Sequence, residues 1–149
     1  MSRWAKFWSL TRHEKVLFCE AIILLSISNF CVRVIAFRRI EAVLRTRFND
    51  GVRSCINGEH EIKLIQRAVS RAGNVLLWKS LCLSRSIAEY IMLRRRGIPA
   101  VMLAGAKFAG HSALDAHAWV DTSLGVNDDR SKNDSFTVVI RIGPAAVDR

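Results

Sequence analysis

Hydrophobic residues recur at helical spacing through the first half of the chain. Between Val16 and Phe37 the apolar positions Leu17, Phe18, Ala21, Ile22, Leu24, Leu25, Phe30, Val34 and Ile35 run between basic ends, the pattern of an apolar helix. Ser28 and Asn29 predict a break within it, and Asn49-Asp50-Gly51 predicts a turn at the close of the segment. Glu59 to Gly73 predicts an amphipathic helix, with Ile62, Ile65, Ala68 and Val69 on one side and Lys63, Gln66, Arg67 and Arg71 on the other. Ser80 is a plausible N-cap for a helix through Leu81, Leu83, Ile87, Ile91 and Met92, and Gly97-Ile98-Pro99 stops it. Beyond that point three short strands follow, at 100–104, 116–121 and 137–142, separated by Gly- and Asp-rich turns. The fold class is therefore α+β, a helical N-terminal layer followed by a small antiparallel sheet. No linker or repeat divides the chain, so residues 1–149 are expected to form one domain, mostly helical over 1–74.

Composition narrows this further. In 149 residues half the side chains are hydrophobic and only 8 are Gly and 2 Pro, which excludes a disordered protein, because a real core can offset the chain entropy. Lys plus Arg number 23 against 13 Asp plus Glu, a net charge of +10, which raises the question of an acidic partner. The excess sits in the first hundred residues, beside apolar stretches, as a solvated helix face would. No zinc-finger spacing, RNA-recognition signature or basic tract alternating with aromatics points to nucleic acid. Cys19, Cys31, Cys55 and Cys82 form no Cys-x-x-Cys pair, so no metal site or redox motif is expected, and buried free thiols are the reading. Ala21 to Val32, the longest uncharged stretch, has 12 residues, short of the ~20 that span a bilayer. Glu20 interrupts the apolar run and no small-residue cleavage site precedes Arg33, which argues against a signal peptide. A cytoplasmic protein is expected. The segment 16–37 packs in the core or on a partner, with a membrane-peripheral position as the alternative.

The candidate chemistry lies in the second half. Cys82 falls in the first turn of a helix, where free backbone N–H groups and the helix dipole stabilise a thiolate. His117 opens the second strand, 35 residues on, and Asp128 follows 11 residues later. A lone cysteine in a helix is ordinarily a small buried hydrophobe, and a histidine beside Trp119 is ordinarily structural. Together, in this order, they follow the chain order of papain-like and transglutaminase-like thiol enzymes. His111 competes with His117 but falls in a loop expected to be exposed. Asp121, on the same strand, stands about 13 Å from His117 at strand rise and is a poor orienter. Arg94-Arg95-Arg96 suits the last turn of a helix on dipole grounds alone.

Several blocks carry a resemblance: Cys82-Leu83-Ser84-Arg85-Ser86-Ile87-Ala88, Leu93 to Ala100, Gly105, His117-Ala118-Trp119-Val120 and Val126-Asn127-Asp128. Over roughly residues 75–140 the chain resembles the leader peptidases of lasso-peptide biosynthesis, cysteine proteases of the transglutaminase-like superfamily. The resemblance implies a papain-like core with the catalytic cysteine at a helix N-terminus packed on the sheet. It implies Cys82 as nucleophile, His117 as the base that later protonates the leaving amine, and Asp128 as the acid that orients the imidazole, with Asp129 as its neighbouring alternative. The Cys82 N–H is the natural first oxyanion donor; Trp78 and Gln66 are the residues considered for the second. No cofactor and no metal are implied. The implied partners are a precursor peptide, a separate leader-recognition protein and the lasso cyclase, the cyclase consuming the freed α-amine. Acyl transfer to an amine would use the same three residues, and a non-catalytic peptide-binding module would keep the fold without the chemistry.

Overall fold

The computed structural model describes residues 10–48, 58–76, 82–109, 113–122 and 135–144. The first helix there, α1 (Arg12–Val34), starts on a capping box: the Glu14 amide donates to Thr11 Oγ1 at 3.2 Å, and Glu14 Oε2 accepts from the Thr11 amide at 3.0 Å. The break expected at Ser28 and Asn29 does not occur. Both side chains are buried, and Asn29 Oδ1 accepts from Ser84 Oγ across the helix interface at 3.4 Å, so the polar pair is accommodated between helices and the chain runs on. The turn comes instead at Ile35 and Ala36, both extended, ahead of α2 (Phe37–Arg47).

Helix α3 (Gly58–Val75) buries Ile62, Ile65, Ala68 and Val69, as the spacing predicts. Helix α4 (Cys82–Arg95) ends where Gly97 was expected to stop it, and the local chemistry shows why. Gly97 adopts φ +73°, its amide bonds to the Arg94 carbonyl and the Ile98 amide to the Leu93 carbonyl, the paired closure of a Schellman cap, with Ile98 fully buried. The core joins Leu17, Ala21 and Leu25 of α1 to Ile62 and Ile65 of α3 and to Ile87, Met92 and Leu93 of α4.

The basic run at 94–96 is more than a dipole-compensating last turn. Arg94 is buried and donates through Nε and Nη2 to the Phe48 carbonyl at 3.1 and 2.7 Å. Arg95 and Arg96 both reach Glu20 of α1, and Arg96 also pairs with Glu61 of α3 at 3.2 Å. Three helices are therefore fastened at one end by these guanidinium groups, which the spacing alone did not reveal.

Strands β1 (Ala100–Ala109), β2 (Ala113–Thr122) and β3 (Thr137–Ile142) form an antiparallel sheet in the order β2-β1-β3. The first two exceed their expected lengths because they pair along ten positions, from Ala100 opposite Thr122 to Ala109 opposite Ala113. Strand β3 matches its expected span. Its register slips by one residue at Ala104 and Gly105, leaving Val139 as a bulge. Ala118, Val120 and Thr122 are buried with Ala100 and Met102 against the helices, so by the two-residue period His117, Trp119 and Asp121 lie on the other face. The α+β class is as the sequence suggested. The buried-thiol expectation needs correction at Cys19, which is exposed because it falls on the outward side of α1; Cys31 and Cys82 are half-buried, and all three are free.

Candidate functional site

Cys82 is the first residue of α4, so the backbone N–H groups of that first turn have no intrahelical acceptors. Ser86 Oγ donates to the Cys82 carbonyl at 3.1 Å and steadies the turn. The thiol itself is directed at β2: Sγ donates to the Ala116 carbonyl at 3.9 Å. Ala116 immediately precedes His117, so the helix start and the histidine strand meet at the peptide that joins those two residues.

The imidazole is fixed by aromatic neighbours. His117 stacks on Trp119, with ring centroids 6.0 Å apart and planes at 18°, and Phe136 lies 5.4 Å away at 38°. Lys107 Nζ sits 4.3 Å over the Phe136 ring and 3.8 Å from Asp115 Oδ2. This cluster closes because the central strand carries glycine opposite His117. A Cβ added at Gly105 would lie 2.9 Å from the Thr137 carbonyl oxygen, 3.0 Å from Phe136 Cβ and 3.1 Å from the Trp119 ring. The structure thus brings Cys82 to the backbone beside His117 and holds the ring on the sheet face opposite the helices; among the described residues the thiol bonds to Ala116 and the ring to its aromatic neighbours.

The remaining site assignments divide in two. Asp128, Asp129, His111, Trp78 and Ser80 lie outside the described residues. Asp121 Oδ1 accepts from the adjacent Thr122 amide at 3.0 Å. Gln66 Nε2 donates to Glu89 Oε1 at 3.2 Å, two turns along α4 from Cys82. Phe136 and Glu89 were missed. Phe136 lies just before a strand with no periodicity to flag it, and Glu89 interrupts an apolar helix where a half-buried acid carries no spacing signal.

Burial pushes the Glu89 carboxyl up to about 7 from its ordinary 4.5, against the lowering effect of the Gln66 hydrogen bond. Between those two values the folded chain keeps a proton that the unfolded chain has lost. Stability therefore falls as pH rises through that window and stays lower above about 7, by about 3 kcal/mol in all. Glu89→Gln, which stays neutral, is expected to unfold at higher urea than wild type at pH 8 and to lose the slope between pH 5 and 7. An unchanged slope in urea titrations would show that the carboxyl ionises freely in the fold.

A cavity of about 170 Å³ lined by Arg45, Phe48, Tyr90 and Gly143 includes neither Cys82 nor His117. Among the described residues no three His, Cys, Asp or Glu side chains are placed to hold a metal ion. Among the described residues no contact joins the Cys82 thiol to the His117 ring; the helix start reaches the histidine strand at the Ala116 carbonyl, and the ring contacts Trp119 and Phe136. The family model described as the transglutaminase-like superfamily matches residues 25–141, from the middle of α1 to the end of the sheet. No curated protein and no solved structure matches the chain.

Proposed function

The chain belongs to the transglutaminase-like superfamily, and on that premise we propose that it is a cysteine peptidase that removes the leader from a ribosomally made lasso-peptide precursor. The observation that carries this reading is the meeting of two motif blocks: the Cys82-Leu83-Ser84-Arg85-Ser86 helix start touches β2 at Ala116, next to His117-Ala118-Trp119-Val120. In the proposed reaction the thiol leaves the Ala116 carbonyl on the edge strand β2, the His117 ring turns from its aromatic neighbours toward it, and the proton passes from Sγ to the imidazole. The thiolate adds to the carbonyl carbon at the leader–core junction. The imidazolium protonates the departing amine, which frees the core peptide with its α-amino group, and the leader remains as a thioester on Cys82. Water, deprotonated by His117, then releases the leader acid. Asp128 is proposed as the acid behind the imidazole, and the Cys82 amide as the first donor to the oxyanion. A separate leader-recognition protein would deliver the precursor, and the lasso cyclase would take up the product amine.

The test is mass spectrometry of a lasso precursor incubated with this protein and its leader-recognition partner in ¹⁸O water. One cut at the leader–core junction, with ¹⁸O in the new leader carboxylate, is the expected result. Leader captured instead as an amide of an added amine would make the protein an acyl transferase, and an intact precursor with both proteins folded would leave it a binding module.

A further inference from the structure

We propose that the outward face of α1 lies flat on an anionic lipid surface. Helix α1 is apolar on two sides. Leu17, Ala21 and Leu25 fill the core, while Val16, Ile23, Ile27, Phe30 and Val34 are 62, 58, 54, 66 and 66 % exposed. These five follow one another at steps of seven, four, three and four, so they form one stripe on a single helix face, about 27 Å long at the helical rise. Scattered exposed apolar residues are ordinary on a protein surface; a continuous stripe marks an interaction face.

By length and composition α1 is long and apolar enough to cross a membrane. Its inner side prevents that. Withdrawing the helix would strip Glu20 from Arg95 and Arg96 and Asn29 from Ser84, and would empty the core of Leu17, Ala21 and Leu25. The helix therefore lies on the bilayer with one side in the protein and the other among the lipid chains.

Charge selects the surface. Arg12 and Arg33 are exposed at the two ends of the stripe, and α2, two residues further on, exposes Arg38, Arg39 and Arg47. The acids of the two helices are engaged: Glu14 by the Thr11 cap and Arg71, Glu20 by Arg95 and Arg96, Glu41 by Arg45. A second copy packed antiparallel on the same stripe would set Arg12 against Arg33, cation against cation. Anionic headgroups match both ends.

Flotation with phosphatidylcholine vesicles, with and without phosphatidylglycerol, tests this on the full chain. Wild type is expected to float with the anionic vesicles and to stay behind with the neutral ones. Ile27→Glu with Phe30→Glu, at positions the core does not use, is expected to cut the bound fraction at least tenfold, and Arg38→Gln with Arg39→Gln about fivefold per arginine. Val34→Ser gives a milder second probe should the double variant fold poorly. Folded wild type that does not float, or flotation untouched by the Ile27 and Phe30 changes, would overturn the proposal. So would a dimer that the same changes dissociate, which would assign the stripe to a second copy.

Discussion

Cys82→Ala is expected to release no core peptide, a loss on the order of 10⁴-fold or more in cleavage rate. Alanine has no lone pair to offer, and what remains is binding and oxyanion stabilisation. The fold should survive: Cys82 is half-buried at a helix start, and its thiol contributes one long contact to Ala116, so the stability change should stay under about 1 kcal/mol. That separation makes the result informative, because a folded protein without turnover isolates the nucleophile. His117→Ala should lose as much activity, since the thiol then has no base, and the double variant should be no worse than either single one, as groups acting in one step are not additive. It should also be less stable than Cys82→Ala by about 1 kcal/mol, through the lost packing on Trp119 and Phe136. Single-turnover cleavage assays alongside urea titrations read both quantities. Cleavage persisting in Cys82→Ala would place the nucleophile elsewhere.

Gly105→Val is expected to be the most damaging substitution outside the proposed triad. Already the first added carbon would stand 2.9 Å from a backbone oxygen of β3, which cannot rotate away, and within 3.1 Å of Phe136 and Trp119. Overpacking of this kind costs about 1–3 kcal/mol for small additions, and the two further methyls of valine add to it. The cheapest relief is to push Phe136 and Trp119 outward, and those are the rings that hold His117. Cleavage should therefore fall more steeply than stability, by at least about 100-fold in turnover, with precursor affinity changed little. Gly105→Ala should show the same order of effects at smaller size. Equal losses in turnover and in the folded fraction at assay temperature would mean that the glycine serves packing alone.

The parts of the fold with strong local signals were legible. The Glu59–Gly73 periodicity, the helix beginning near Cys82, its stop at Gly97 and the 137–142 strand all follow from spacing and turn chemistry that act within a few residues. What spacing could not show depends on long-range partners. Ser28 and Asn29 look like a break until Ser84 is placed beside Asn29, and Arg94, Arg95 and Arg96 look solvated until Phe48 and Glu20 come within reach. The division of α1 into two apolar faces was hidden for the same reason: both faces read alike, and only α3 and α4 determine which is covered. At the site, Cys82 and His117 stood out by order and context. Their approach through the Ala116 carbonyl, and the hold of Phe136 and Gly105 on the ring, needed the sheet register.

The ion pairs between Glu20 and the end of α4 bear on how the chain is made. They join residues 75 and 76 positions apart, so α1 leaves the ribosome long before its docking partners exist. At ~5–20 residues per second, roughly 4–15 s pass in which both apolar faces of that helix are open to whatever is nearby. Newborn chains are then most exposed to self-association or to capture by chaperones, and slowing translation between residues 35 and 95 should lower the soluble yield more than slowing it later.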